Sequence, residues 1–170
     1  PEASALHAAG VTRVGTAISS TSDTLNYLEN FRQHVRRLRE VGSVLEDNGL
    51  RLGLEYLGTK HIWTRGRHAF LHSMKECREL ISETGKSSIG LVLDSWHWWT
   101  ARDSVDDLLA LKNRDVVSAD LNDAPRGIEI DEQRDNEGEW PLATGLIDAK
   151  AFLGALLEIG YDGPIRAEPF

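Results

Sequence analysis

Four acidic residues occupy matching places in the chain. Glu55 in LGLEYLG, Asp94 in LVLDSWH, Asp120 in VVSADLNDA and Glu168 in IRAEPF each close a short run rich in apolar residues. Such a run reads as a buried strand. A carboxylate at its end is delivered to the C-terminal edge of the sheet, where α/β proteins bind ligands. One acid so placed is ordinary, because strand ends lead into exposed loops and helix caps. Four converging acids repel one another strongly unless a positive charge lies among them, and a divalent cation is the simplest candidate. Oxygen ligation favours Mn²⁺ or Mg²⁺ over Zn²⁺, with Co²⁺ a further option.

Other side chains near these acids are secondary candidates. His97 follows Asp94 by three residues, where it could bind a substrate oxygen or complete a metal shell. Trp96, Trp98 and Trp99 cannot all face one site. One or two could form an apolar or sugar-stacking wall, and the rest pack against helices. His61 and Trp63, in the segment after Glu55, are weaker candidates for substrate contact. His68 and His72 are four apart but lack an adjacent glutamate, so they read as structural. Cys77 lies on an apolar helical stripe without a CxxC partner and reads as core.

These residues need elements to position them, and the sequence alternates short β-branched runs with amphipathic stretches. Val11 to Ser19 predicts a first strand. The following segment predicts a helix with Leu25, Leu28, Phe31, Val35, Leu38 and Val41 on one stripe, capped by Ser22 or Asp23 and ended by Gly49. A strand over 50–58 precedes a helix from about Ala69 to Thr84, with Phe70, Met74, Cys77, Leu80 and Ile81 on its apolar face. The apolar run ending at Asp94 predicts a strand covered on both faces. A short helix capped by Ser104, a strand ending near Asp120, a long polar stretch from Arg126 to Gly145, a helix bearing Phe152, Ala155, Leu156 and Ile159, and a closing strand complete the order.

Alternation of this kind is α/β, with right-handed crossovers giving a parallel sheet of about five strands. An open doubly wound sheet fits, and so does the larger part of a (β/α)₈ TIM barrel, which needs ~250 residues when whole. The chain opens inside PEASALHAAG and stops at IRAEPF, without a polar fringe at either end. We therefore expect a single domain over 1–170 that is a partial barrel, incomplete at its N-terminus and also at its C-terminus.

Composition narrows the functional classes. A net charge of −8 argues against a nucleic-acid surface, and the one basic cluster, RQHVRRLRE, reads as a solvated helix face. A single cysteine suits a reducing compartment, so a cytoplasmic location is expected. No apolar run approaches the ~20 residues of a membrane span.

Taken together, GLEYLG, GLVLDSWHWW, VVSADLNDAP and ALLEIGYDGPIRAEPF resemble the xylose isomerase-like TIM-barrel superfamily, and within it the sugar phosphate isomerase/epimerase proteins. The resemblance covers the whole chain as the fourth to eighth βα units. It implies one divalent metal on Glu55, Asp94, Asp120 and Glu168, with Glu55 and Glu168 as acid and base on opposite sides of the substrate. It also implies that His97 contacts substrate, along with an arginine that matches either Arg126 or Arg134. The third ligand is commonly histidine in that family. Asp120 departs from this pattern, and Asp123 is an alternative ligand. The implied activity is metal-dependent isomerisation or epimerisation of a ketose, inosose or related polyol-derived compound through an enediolate, in carbohydrate metabolism. The alternatives are a lyase or dehydratase acting on an oxidised sugar or glycoside, and a non-catalytic sugar-binding barrel. Implied partners are a small sugar-like substrate and, in the full-length protein, another copy of the chain, with neither nucleic acid nor membrane. The 170-residue piece alone is expected to aggregate or stay molten, because its sheet has an unpaired edge.

Overall fold

The computed structural model describes residues 2–168. In chain order the elements are α1 (Glu2–Ala8), β1 (Arg13–Ala17), β2 (Thr21–Ser22), α2 (Tyr27–Glu46), β3 (Arg51–Glu55), α3 (Lys60–Trp63), β4 (His68–Ala69) and α4 (Met74–Thr84). They continue with β5 (Ile89–Asp94), α5 (Ser95–Thr100), α6 (Val105–Leu109), β6 (Val116–Leu121), α7 (Ala149–Glu158) and β7 (Ile165–Ala167).

β1, β3, β5, β6 and β7 form a parallel sheet in that order, joined through crossover segments that carry the helices. The sheet is curled. β1 and β6 lie three strands apart, roughly 14 Å in a flat sheet, yet their Cα atoms approach within 8 Å. The Arg13 guanidinium also donates across the concave face to the Val117 carbonyl at 3.0 Å. The architecture is thus a partial (β/α)₈ barrel, and the open doubly wound alternative is set aside.

Burial follows position in the sheet. All six residues of β5 are buried, as its continuous apolar run demands, whereas the edge strands β1 and β7 are largely exposed. Helices α2, α4 and α7 close the core with Val35, Leu38, Met74, Cys77, Leu80, Phe152 and Leu156. Cys77 is fully buried, and burial raises its thiol pKa far above the usual range, in keeping with a core role.

Local differences from the sequence reading have identifiable causes. α2 begins later than Ser22 or Asp23 suggested, because Asn26 and Glu29 form a reciprocal capping box. Its buried face runs through Val35, Leu38, Gly42 and Leu45, leaving Leu28 and Val41 exposed. Gly49 does adopt the left-handed conformation expected of it, at φ +67°. The helix expected from Ala69 starts at Met74, where Ser73 caps it. Before it, His68–Ala69 pairs antiparallel with Thr21–Ser22 in a small ribbon, so His68 and His72 do not share a helix. The apolar run through Asp94 turns directly into α5, which carries His97 and all three tryptophans of that stretch.

Candidate functional site

The C-terminal rim of the curled sheet holds a cavity of about 200 Å³ whose walls include Glu55, Asp94, Trp96, His97, Asn122, Asp135 and Glu168. Strand register sets it up. Asp94 sits beside Asp120, and Asp120 beside Arg166, so neighbouring strands end at one level. Glu55 stands in two clusters. Its carboxylate and the potential ligand atoms of Asp94 and His97 lie within 4.8 Å of one another, and the same holds for Glu55, Asp120 and Glu168.

Asp94 is held rigidly. Its Oδ1 caps α5 by accepting from the Trp96 backbone N–H at 2.6 Å, and the Asn122 amide donates to both of its oxygens at 3.0 and 3.1 Å. Asn122 is fixed in turn by Ser95, whose hydroxyl accepts from the Asn122 N–H at 2.9 Å and donates to its carbonyl at 3.3 Å. Even so, burial pushes the Asp94 carboxyl up to about 7, against the hydrogen bonds from Asn122 and Trp96. Burial, followed by the charges of Asp94, Glu168, Asp120 and Asp135, pushes Glu55 up to about 8. Glu168 is raised by burial and then by Asp120, with Arg166 opposing. Ionising all of these acids together would therefore crowd negative charge into the cavity.

His97 is buried and kept neutral, its pKa pushed down to about 4 by burial against the pull of Asp135 and Asp120. The Gly58 backbone N–H donates to its Nδ1 at 3.2 Å. Nδ1 therefore spends its lone pair on that bond, and in the neutral ring the proton sits on Nε2. His97 thus presents an N–H donor towards the cavity, which suits a substrate oxygen better than a metal ion. Gly58 is required for this approach. A Cβ there would lie 2.5 Å from the His97 carbonyl oxygen and 2.8 Å from the Ala101 nitrogen.

Asp120 and Asp123, three residues apart, have different surroundings. Asp120 is fully buried and does not line the cavity. Its oxygens accept from Arg166 Nε at 2.5 Å and Nη2 at 3.0 Å, and Nη2 also reaches Glu168 at 3.1 Å. Asp123 accepts four backbone N–H donors, from Ala124 at 2.8 Å, Thr144 at 2.8 Å, Gly145 at 2.6 Å and Ile147 at 3.1 Å. Burial raises its pKa, but those donors prevail and hold it at about 2. Both of its oxygens anchor the loop that begins at Ala124, so the alternative third ligand has a different task.

The remaining candidates, Arg126 and Arg134 on that loop and His61 and Trp63 on α3, lie away from the cavity. Arg126 donates to the Thr144 carbonyl at the surface. Arg134 and His61 line a separate open groove with Lys60 and Asp131. Trp63 stacks on His72 with ring centroids 4.5 Å apart. What the loop brings inward instead is Asp135, whose Oδ1 lies 3.7 Å from His97 Nε2. Among the tryptophans, Trp96 forms cavity wall, Trp98 packs on Phe152 at 5.5 Å, and half-buried Trp99 packs against the core.

Three residues that touch the candidate site escaped the sequence reading. Arg166 had a legible signal, since it lies two residues before Glu168 and so on the same face of the strand. Asn122 had a weaker one, being polar directly after a buried strand. Asp135 had none, because it is one of several acids in a polar stretch.

The sequence profile of the family described as "Xylose isomerase-like TIM barrel" matches residues 2–170. The chain belongs to that family. An inosose isomerase of Bacillus subtilis (strain 168) is 27% identical over 136 residues, covering 78% of this chain and 45% of that protein. The chain thus spans about half the length of this curated relative. A xylose isomerase domain protein from Alicyclobacillus acidocaldarius subsp. acidocaldarius superimposes with a TM-score of 0.86 at 30% identity, over 95% of this chain and 56% of that one. The IolI protein, crystallised with a zinc atom, superimposes with a TM-score of 0.81 at 23% identity, over 99% of this chain and 59% of its own. Among the described residues, no helix is long and apolar enough to cross a membrane.

Proposed function

We propose that the full-length family member isomerises or epimerises an inosose, ketose or related polyol-derived carbonyl compound by moving a proton next to the carbonyl, with one divalent cation in the cavity. The observation that carries this reading is the meeting of Glu55, Asp94 and Glu168 in one small cavity, where burial and neighbouring carboxylates push all three towards neutrality. A divalent cation would relieve that repulsion, and the donors nearest one another are mainly hard carboxylate oxygens. Glu55, Asp94 and Glu168, which open onto the cavity, would hold it, with Asp120, an oxygen of which lies within 4.8 Å of Glu55 and Glu168, as the fourth candidate. When bound, such an ion supplies Lewis-acid stabilisation of negative charge on the substrate oxygens.

The protein's own groups supply the rest. Glu55 and Glu168, which arrive from β3 and from the end of β7, are the proton carriers. An acid–base pair serves best when its pKa lies near the working pH, and burial moves Glu55 in that direction. His97 Nε2–H donates to a substrate oxygen while Asp135 accepts from a hydroxyl beside it, a combination that suits a polyol. Trp96 gives an apolar wall on the same side.

Incubation of the full-length protein in D₂O with Mn²⁺ and a panel of inososes and ketohexoses tests this. Metal-dependent deuterium incorporation next to the carbonyl is expected, and its loss in both Glu55→Gln and Glu168→Gln. Loss of water from the substrate in place of exchange would point to a dehydratase, and binding with neither outcome to a non-catalytic barrel.

A further inference from the structure

The four acids at the rim raise the question of what balances them, and part of the answer lies in the chain itself. Arg166 projects from β7 directly beside Asp120 and grips it through two nitrogens, at 2.5 and 3.0 Å. This is the bidentate fork in which guanidinium and carboxylate match most closely. Glu55, Asp94 and Glu168 all open onto the cavity, whereas Asp120 has no exposed surface; one of its oxygens lies within 4.8 Å of Glu55 and Glu168, but both of its oxygens are already taken by Arg166. A divalent ion bound directly to Asp120 would have to sit against the guanidinium, like charge facing like charge.

We propose that Asp120 and Arg166 act as one electrically neutral unit behind the metal position. Glu55, Asp94 and Glu168 provide the direct carboxylate contacts to the ion, and Asp120 influences it only through Arg166. This rests on the metal reading above and sharpens it. Arg166 is a positioning residue that also reaches Glu168 at 3.1 Å, so the pair fixes the direction from which Glu168 meets the cavity. The unit has a distinctive property: removing one half harms the site more than removing both, because the surviving half is left as an uncompensated charge.

The test is a double-variant cycle on Mn²⁺ affinity in the full-length protein, read from the electron paramagnetic resonance of free Mn²⁺. Asp120→Asn leaves Arg166 unpaired beside the ion, and affinity is expected to fall about tenfold. Asp120→Asn combined with Arg166→Leu is expected to recover to within about threefold of the unaltered protein, whereas loss of a direct ligand, as in Asp94→Asn, costs about 100-fold with no such rescue. A double variant at least as weak as Asp120→Asn would overturn the proposal. If the double variant fails to fold, the Arg166 Hε resonance of the unaltered protein decides the matter during titration with diamagnetic Zn²⁺. An unchanged Hε chemical shift at saturation supports the pair, and a shift to that of a free guanidinium shows Asp120 leaving Arg166 for the metal. Absence of Mn²⁺ binding by the unaltered protein would instead defeat the metal reading itself.

Discussion

The carboxylates at the cavity and the carboxylate of Asp123 are the same functional group, yet their surroundings drive them in opposite directions. Asp123 is wrapped by four backbone N–H donors and held at about 2. Glu55 and Asp94 share their cavity with other acids and stand at about 8 and about 7. Asp123 is satisfied from within the chain and serves architecture, pinning the loop that covers the site. The cavity acids are left wanting positive charge, which in a folded protein marks a place kept for a ligand. The two kinds of acid differ in who supplies their partners: the backbone for Asp123, and for the cavity acids no donor set of that kind.

The contrast breaks most visibly when Asp123 is removed. Asp123→Ala leaves four backbone N–H groups, those of Ala124 and Ile147 in buried residues, without their acceptor, and a stability loss of about 4 kcal/mol is expected in urea unfolding of the full-length protein. The loop carrying Asp135 should loosen at the same time, seen as faster amide exchange at Thr144, Gly145 and Ile147.

The pH dependence of the metal-free protein draws the same line with a slightly smaller effect. Glu55 holds its proton more tightly folded than unfolded, so its contribution is fully present below about 4.5 and is lost as pH rises towards about 8. Asp94 acts in the same direction up to about 7. Asp123 acts oppositely, adding stability that is complete above 3.8 and lost as pH falls towards about 2. Metal-free stability should therefore decline from about pH 4.5 towards pH 8, with His97, whose pKa is pushed down to about 4, opposing the decline up to its ordinary value near 6.5. Saturating Mn²⁺ should flatten the alkaline side, and thermal melts with and without chelator measure it. A decline that persists unchanged with metal would mean that the cavity acids are not its ligands.

How far the sequence revealed these surroundings depended on distance along the chain. Glu55, Asp94, Asp120 and Glu168 were legible because each ends an apolar run, and strand periodicity alone carries such a residue to the rim. The Arg166 fork lay within reach of the same two-residue period, though a family pattern centred on metal ligands hides a cation between them. Asp135 was not legible, since its position depends on a loop tied down by Asp123 from more than ten residues away. The outward placement of Arg126 and Arg134 has the same origin. The displaced starts of α2 and α4 came from caps, Asn26 and Ser73, which compete locally with plausible alternatives a few residues upstream.

Neutralising a cavity acid should have the opposite sign to the Asp123 variant. Glu55→Gln removes a buried charge that nothing in the metal-free protein balances, so stability at pH 8 should rise by about 1–2 kcal/mol while Mn²⁺ affinity falls about 100-fold. Urea titrations with chelator, paired with metal binding, read both. A destabilised, tightly binding Glu55→Gln would erase the distinction between the two classes of acid.

The smallest effect probes how the neutral partner in the cavity is kept in its tautomer. Gly58→Ala places a methyl group 2.5 Å from the His97 carbonyl oxygen and 2.8 Å from the Ala101 nitrogen. Backbone does not yield as a flexible side chain does, so the loop after β3 must retreat, at a cost of about 1 kcal/mol. Retreat lengthens the Gly58 N–H···Nδ1 bond and releases the constraint that leaves the proton on Nε2. Nitrogen-15 spectra of the imidazole should show a single Nε2–H tautomer before substitution and a mixture after it. Water reaching the ring should also lift its pKa from about 4 towards the ordinary histidine value. If both signatures stay unchanged, burial alone fixes His97, and the Gly58 contact is only packing.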